Sequence, residues 1–559
     1  MNYGIPRRST REVFAYHFGM SSRAWIAPRA WSRSLGVWLL FLVLAVVHTW
    51  PLASAPARLS RNDNADTVLN EWTLAWVARH VTHEPTRVFD ANIFAPERGT
   101  LAYSEYLIPQ AVAAAPLFWV GASPVLVYNL LLLAGLALTG WAGCLVVRRW
   151  TGDMWAGIVS GTLLTFNAHI LTRLPHLQVV YGAFLPVALL AWDALLRHPR
   201  RRDAVTLSVA LWLQGLTSYY GLVMAVLALG VTGLARVREW WGVAAGRRLR
   251  YVTLSALAVL LLLSPFLWGY WRVGTVRSLE EVSHFVATWR DWITTPAHLH
   301  YDLWSQPYFS SAALFPGVTA LVLAAAAVAT PAVRRQPRAQ MLMALAVVGV
   351  ALSFGPAWPG YAWLYRLFVP LQGIRNVARL GYLTTVASAL LAGLALAHLR
   401  SRWRAARWLP VASVAVVIVA NLDGFAAPID YVEWTPPSAA VSILRHTSGT
   451  VAVIPFYGPE RVFRNADYLL ESTRHWRPML NGYSGLTPES YVRHAAQFAS
   501  FPRADALEAL RAAGVTHMIV HEAALSDWAD AQTVRAVRES TGLRLLARDQ
   551  DVAVYALRP

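Results

Sequence analysis

A short acidic stretch follows the first long apolar run of this chain: Arg61-Asn62-Asp63-Asn64-Ala65-Asp66, then Asn70, Glu71, Trp72 and Trp76. Carboxylates held in such a loop act as general bases or bind a divalent cation such as Mg or Mn. Asp66 and Asn70 are four residues apart and share a face if the segment is helical. Asp66 also suits the cap of a helix starting at Thr67, so the catalytic and capping roles both stand open. A second group runs from Phe89-Asp90-Ala91-Asn92-Ile93-Phe94 to Tyr103-Ser104-Glu105-Tyr106. Glu105 there is a second candidate catalytic carboxylate, and Asn92 a candidate substrate contact.

Three further groups bring cations and hydrogen-bonding side chains. In Arg173-Leu174-Pro175-His176-Leu177-Gln178, the residues His176 and Gln178 suit either a phosphate or the ends of helices. Tyr219 and Tyr220 occupy a tight turn, Ser218 to Gly221, and join the candidate substrate contacts. In Gly373-Ile374-Arg375-Asn376-Val377-Ala378-Arg379, two arginines stand in a segment, 357–379, that contains no acid. Arginine grips phosphate through a rigid fork of donors, so Arg375 and Arg379 are the candidates for a phosphate headgroup. Snorkelling to lipid headgroups is the alternative. The polar, aromatic stretch Ser472 to Pro478 and Asn481-Gly482-Tyr483-Ser484-Gly485 reads as a loop supporting the site. Phosphate-binding glycine loops, HExxH and GxSxG are all missing from the sequence.

The elements that must position these groups lie in a membrane. The 559 residues are 56% hydrophobic and 14% charged, with a mean hydropathy of +0.39. A soluble domain carries about 25% charged residues. The net charge of +18 comes entirely from arginine, since there is no lysine. These arginines cluster at 148–149, 197–202, 236–250, 334–338 and 400–407, between apolar runs, rather than on one solvated face. Nucleic acid is therefore excluded as a partner. Cys144, the single cysteine, rules out an intramolecular disulfide.

Basic residues flank spans on the cytoplasmic side. Spans are expected at 35–52, 124–147, 153–173, 177–196, 204–217, 221–235, 251–271, 313–333, 340–356, 380–399 and 408–424, about eleven in all. This map puts a basic segment, 1–34, inside and a large loop, 53–123, outside. Ala53-Ser54-Ala55 resembles a signal-peptidase site, but the long basic leader favours an uncleaved anchor. Residues 107–120 are too short to span and read as an interfacial helix. The transmembrane part covers 35–428. Residues 429–559 alternate strand-like and helical runs and read as a small extracytoplasmic α/β domain. The fold class is an all-α polytopic membrane bundle with that domain at its C-terminus, in a bacterial inner membrane.

This layout resembles the GT-C superfamily of integral-membrane glycosyltransferases. The segments carrying the likeness are Asp66 to Trp72, Asp90 to Phe94, Tyr103-Ser104-Glu105, His176-Leu177-Gln178, Gly373 to Arg379, and His475 to Ser484. Uncharacterised bacterial proteins with the same loop style and, in outline, YfhO-like membrane proteins are similar. The resemblance implies transfer of a sugar from a polyprenyl-phosphate donor to a glycan, lipid or protein acceptor. It implies that Asp66 is base or metal ligand and that Arg375 and Arg379 hold the lipid phosphate. The chain departs from the common pattern where Asp63 and Asp66 replace an adjacent acidic pair, and where His176 replaces an acid. Two other classes remain: a flippase for a lipid-linked glycan, and a non-catalytic envelope-assembly protein. A flippase would carry ionisable groups at mid-membrane depth, whereas charges here collect at the span ends.

Overall fold

The structure is a computed structural model that describes residues 28–274 and 276–558. The basic N-terminal segment, up to residue 27, lies outside the described residues. In hydrocarbon every backbone polar group must be bonded within the segment, which makes long apolar runs helical. A helix stands at each expected span, but several are shorter than expected. Among the described residues, four are long and apolar enough to cross a membrane: Pro124–Thr151, Leu177–Arg197, Ala245–Val273 and Val377–Arg402. Seven further apolar helices have 10–17 residues. A 12-residue helix rises only about 18 Å, against a hydrocarbon core of about 30 Å. Eleven crossings are therefore not established. The shortening has local causes. The run expected over 153–173 ends at Thr165, because Asn167 caps a new turn by accepting a hydrogen bond from the Ile170 amide. The run expected over 313–333 contracts to Val318–Ala329, between Gly317 and Pro331.

Small residues let these helices close on one another. A Cβ at Gly140 would lie 2.2 Å from the Phe41 ring, and one at Gly161 would lie 2.3 Å from the Gly140 carbonyl. At one end of the bundle, Asp193 gathers three arginines. Its Oδ1 accepts from Arg197 at 3.1 Å and Arg236 at 2.6 Å, and its Oδ2 accepts from Arg338 at 2.9 Å. Asp193 and Arg236 are both buried. Removing one partner of a buried ion pair costs about 3–5 kcal/mol. Asp193→Ala is thus expected to lower the thermal unfolding temperature sharply, and an unchanged melting curve would contradict the pairing.

At the other end, side chains of Pro124–Thr151 pin the polar loop. Asn129 donates to the carbonyls of Pro56 and Leu59 at 2.8 and 2.7 Å. Tyr128 donates to the Leu174 carbonyl at 2.6 Å. The loop carries a buried helix, Ala65–His83, and then the short helix Ile108–Trp119.

The C-terminal part contains a four-stranded sheet of β1 (Thr450–Ile454), β2 (Val515–His521), β3 (Leu543–Asp549) and β4 (Val552–Leu557). Their order is β1-β2-β4-β3, with β1 and β2 parallel and the other pairs antiparallel. Asn481 fastens the segment after Met479 to β1, accepting from the Val453 amide at 2.7 Å and donating to its carbonyl at 2.9 Å. The same segment binds the polar loop: the amides of Phe94 and Ala95 donate to the carbonyls of Asn481 and Met479. Tyr483 is thereby carried to the start of helix Ala65–His83.

Candidate active site

Asn64, not Asp66, caps that helix: its Oδ1 accepts from the Asp66 amide at 2.9 Å. The capping reading of Asp66 is overturned, and its carboxylate is free for other partners. Oδ1 accepts from the Tyr483 hydroxyl at 2.8 Å, and Oδ2 lies 3.0 Å from Nε2 of His176. The helix and the His176 turn are fastened together by Asn70, whose amide donates to the Asp66 and Pro175 carbonyls at 2.6 and 3.2 Å. Burial raises the Asp66 carboxyl, but the His176 contact, the Tyr483 hydroxyl and the Arg379 charge outweigh it and hold it at about 2. Burial depresses His176, and Arg379 and Arg173 add to that against the pull of Asp66. A neutral imidazole donating from Nε2 satisfies both groups; its Nδ1 is buried without a partner.

Arg375 and Arg379 stand nearby with no carboxylate at ion-pair distance among the described residues. The Arg375 guanidinium lies 4.9 Å from the Phe285 ring centre, and that of Arg379 lies 5.3 Å from the ring of Tyr220. The Tyr220 hydroxyl accepts from the Arg375 and Asn376 amides at 2.9 and 3.2 Å, which fixes the segment. Nε of Arg379 is buried and unbonded. Arg173 is also buried, with no carboxylate at ion-pair distance among the described residues; burial and then the Arg379 charge bring it down to about 9, against the pull of Asp291. This concentration of unpaired positive charge is suited to an anion.

Asp66, Glu105, His176, Gln178, Tyr219, Tyr220, Arg375 and Arg379 all line one cavity of about 1100 Å³. Away from these polar groups the cavity continues as an apolar groove, walled by Leu207, Val226, Leu229, Gly230, Val259 and Leu263 among others. The groove exists because Tyr219–Ala235 and Ala245–Val273 both pack on Arg201–Thr217 and scarcely touch each other. Gly230 lines it with open space beyond its Cα.

Two expected site residues have other duties. Glu105 lines the cavity, but its oxygens are occupied. They accept from the Ser218 hydroxyl at 2.9 Å, the Tyr219 amide at 2.6 Å and the Tyr220 amide at 3.4 Å. It therefore satisfies the first amides of helix Tyr219–Ala235, a role that anions fill well. Asn92 does not line the cavity. It is buried at the join with the C-terminal part, donating to Ser472 Oγ at 3.1 Å and the Arg477 carbonyl at 3.2 Å. The residues do not fit a divalent cation. No group of three or more His, Cys, Asp or Glu among the described residues is arranged to hold a metal, and both Asp66 oxygens are already bonded. Tyr483 is the main residue missed as a site contact: it meets Asp66 across 417 positions of sequence, and no local pattern encodes that.

Glu71, one turn further along the helix, is fully buried. Its Oε2 accepts from Asn62 at 3.1 Å, and its Oε1 has no partner. Burial pushes its carboxyl up to about 8; Asn62 opposes the shift and Asp467 adds to it. Between an unfolded value of about 4.3 and this folded value, the native state holds a proton that the unfolded chain has lost. Stability therefore falls as pH rises through that window, by at most about 1.4 kcal/mol per pH unit. Glu71→Gln mimics the protonated acid. Its unfolding temperature is expected to match the parent near pH 5 and exceed it at pH 8. Equal differences at both pH values would show that Glu71 does not titrate on unfolding.

The chain is a helical membrane bundle with an acid-bearing polar loop, a groove between helices and a small terminal sheet, a fold it shares with solved structures. Particular structures overlay on it. The arabinofuranosyltransferase AftD from mycobacteria matches over 95% of this chain with a TM-score of 0.62 and 16% identity. A variant of that protein matches with a TM-score of 0.60 and 16% identity over 95% of this chain and 42% of its own. This chain spans 40% of the first structure's length. An Archaeoglobus fulgidus oligosaccharyltransferase overlays more loosely, with a TM-score of 0.47 and 12% identity over 94% of this chain and 74% of its own. No protein-family model matches the chain, and no curated protein matches its sequence.

Proposed function

We propose that the chain is a membrane glycosyltransferase that moves a sugar from a polyprenyl-phosphate donor to a hydroxyl of a glycan, lipid or protein acceptor on the extracytoplasmic face. One observation carries this reading: Asp66 and the unpaired guanidinium groups of Arg375 and Arg379 share a cavity that continues as an apolar groove. Such a groove suits a lipid tail, the arginines suit its phosphate, and the carboxylate suits the acceptor. The anomeric C–O bond to phosphate breaks, and its electron pair leaves on polyprenyl phosphate, held by Arg375 and Arg379. The acceptor oxygen bonds to the anomeric carbon, and its proton passes to Asp66. The positive charge developing on the sugar carbon is stabilised by the same carboxylate.

A carboxyl held at about 2 is a weak base in the empty site. Binding changes that. The acceptor hydroxyl replaces Tyr483 on Oδ1, and the donor phosphate neutralises Arg379. The acceptor hydroxyl donates to Oδ1 as Tyr483 did, so the Arg379 influence is the one withdrawn, and the basicity of Asp66 rises when the donor is bound.

The test is transfer of labelled sugar from synthetic polyprenyl-phosphate donors by the protein in lipid vesicles. Gly230→Phe fills the groove. Excluding three methylenes, at about 0.8 kcal/mol each, weakens a long-chain donor roughly 50-fold. Short-chain donors are expected to be affected little. Equal loss for both would remove the tail from the groove, and no transfer from any such donor would remove the reading.

A further inference from the structure

A second outer cavity, of about 400 Å³, shares no lining residue with the first. Arg79, Arg445, Arg474 and His83 surround it, with Trp119, Trp434 and Trp476 as aromatic walls. Arg79 and His83 lie on helix Ala65–His83. At 100° per residue, Arg79 and the lining residue Ala75 face away from Asp66 and Asn70. Arg445 and Arg474 come from the C-terminal part, where Arg445 Nε donates to the Arg474 carbonyl at 3.2 Å. None of the three arginines has a carboxylate at ion-pair distance among the described residues. Trp476 takes a φ of +59°, a conformation rarely adopted by bulky residues and often tied to function. Its ring lies 5.4 Å from the Arg79 guanidinium and 5.9 Å from Trp76.

The position of the cavity identifies its occupant. Phe118 and Trp119 end helix Ile108–Trp119, and Pro124 begins a helix long enough to span. Trp119 is 64% exposed and Val120 82%. Tryptophan concentrates where hydrocarbon meets headgroups. The cavity therefore opens at that level, between the residues of the 118–124 turn and the cations. We infer that it is a binding site for the phosphate of an anionic phospholipid headgroup, one that anchors the C-terminal part and the polar loop to the membrane surface. This site stands independently of the transfer reaction.

Photolabelling tests it. The full-length protein is placed in phosphatidylcholine vesicles containing a phosphatidylglycerol with a photoreactive group near its head. Adducts are expected at Trp119, Trp434 or Trp476. Each basic residue beside an anionic surface is worth about fivefold, so Arg79→Gln/Arg474→Gln is expected to reduce those adducts roughly 25-fold while adducts elsewhere persist. Arg445→Gln/Arg474→Gln provides a second pair should the first fold poorly. Absence of adducts at the three tryptophans in the parent protein, or undiminished adducts in both variants, would overturn the proposal. So would loss of labelling on adding millimolar inorganic phosphate, which would assign the site to a soluble phosphate.

Discussion

Asp66→Asn is expected to abolish transfer while leaving the protein folded. The substitution keeps the shape, and the partners can adapt: the Tyr483 hydroxyl turns to accept, or His176 changes tautomer. The helix start is unaffected, because its cap is Asn64. What disappears is the negative charge and the site for the acceptor's proton. Loss of a general base costs about 10²–10⁴-fold in rate. Asp66→Ala should be equally inactive, since the carboxylate has no capping duty to lose. Initial rates with labelled donor, beside melting curves for both variants, decide the matter. Near-parental turnover by the Asn variant would return Asp66 to a structural role.

Much of the site was legible in the sequence because membrane insertion sorts residues by type. Charged groups stranded at span ends stand out against an apolar background, and so Asp66, His176, Arg375 and Arg379 could be singled out. The strands were legible as well: short apolar runs such as Val552 to Leu557 lie in a mixed-polarity segment. Duties that depend on tertiary pairing were not. Nothing beside Glu105 in sequence shows that three groups 113 to 115 residues away need an acceptor at a helix start. Asn92 carries the same polarity whether it faces a cavity or the Ser472 turn. Helix lengths were misjudged where Asn167, Gly317 and Pro331 cut apolar runs whose hydropathy alone continues past them.

Arg379 separates a binding role from a structural one through its effect on stability. An arginine kept for the fold stabilises it, and replacing it lowers the unfolding temperature. The Arg379 charge instead depresses both buried Arg173 and His176. The empty site therefore carries like-charge repulsion that a bound phosphate relieves. The contact with Tyr220, worth about 0.5–2 kcal/mol, and the attraction of Arg379 to Asp66 and Glu105 oppose it. With repulsion and attraction opposed, Arg379→Gln is expected to melt close to the parent and yet to lose donor binding. A charged hydrogen bond is worth about 1.5–3 kcal/mol, or roughly 10- to 150-fold, so the KM for donor should rise by at least tenfold. Because the phosphate gains charge as the sugar departs, kcat should fall with it. Arg379→Lys keeps the charge but not the fork, and should lie between the two in affinity. Polyprenyl phosphate should raise the melting temperature of the parent and much less that of the Gln variant. A Gln variant that melts lower and binds donor normally would place Arg379 in the scaffold and leave the phosphate without its proposed anchor.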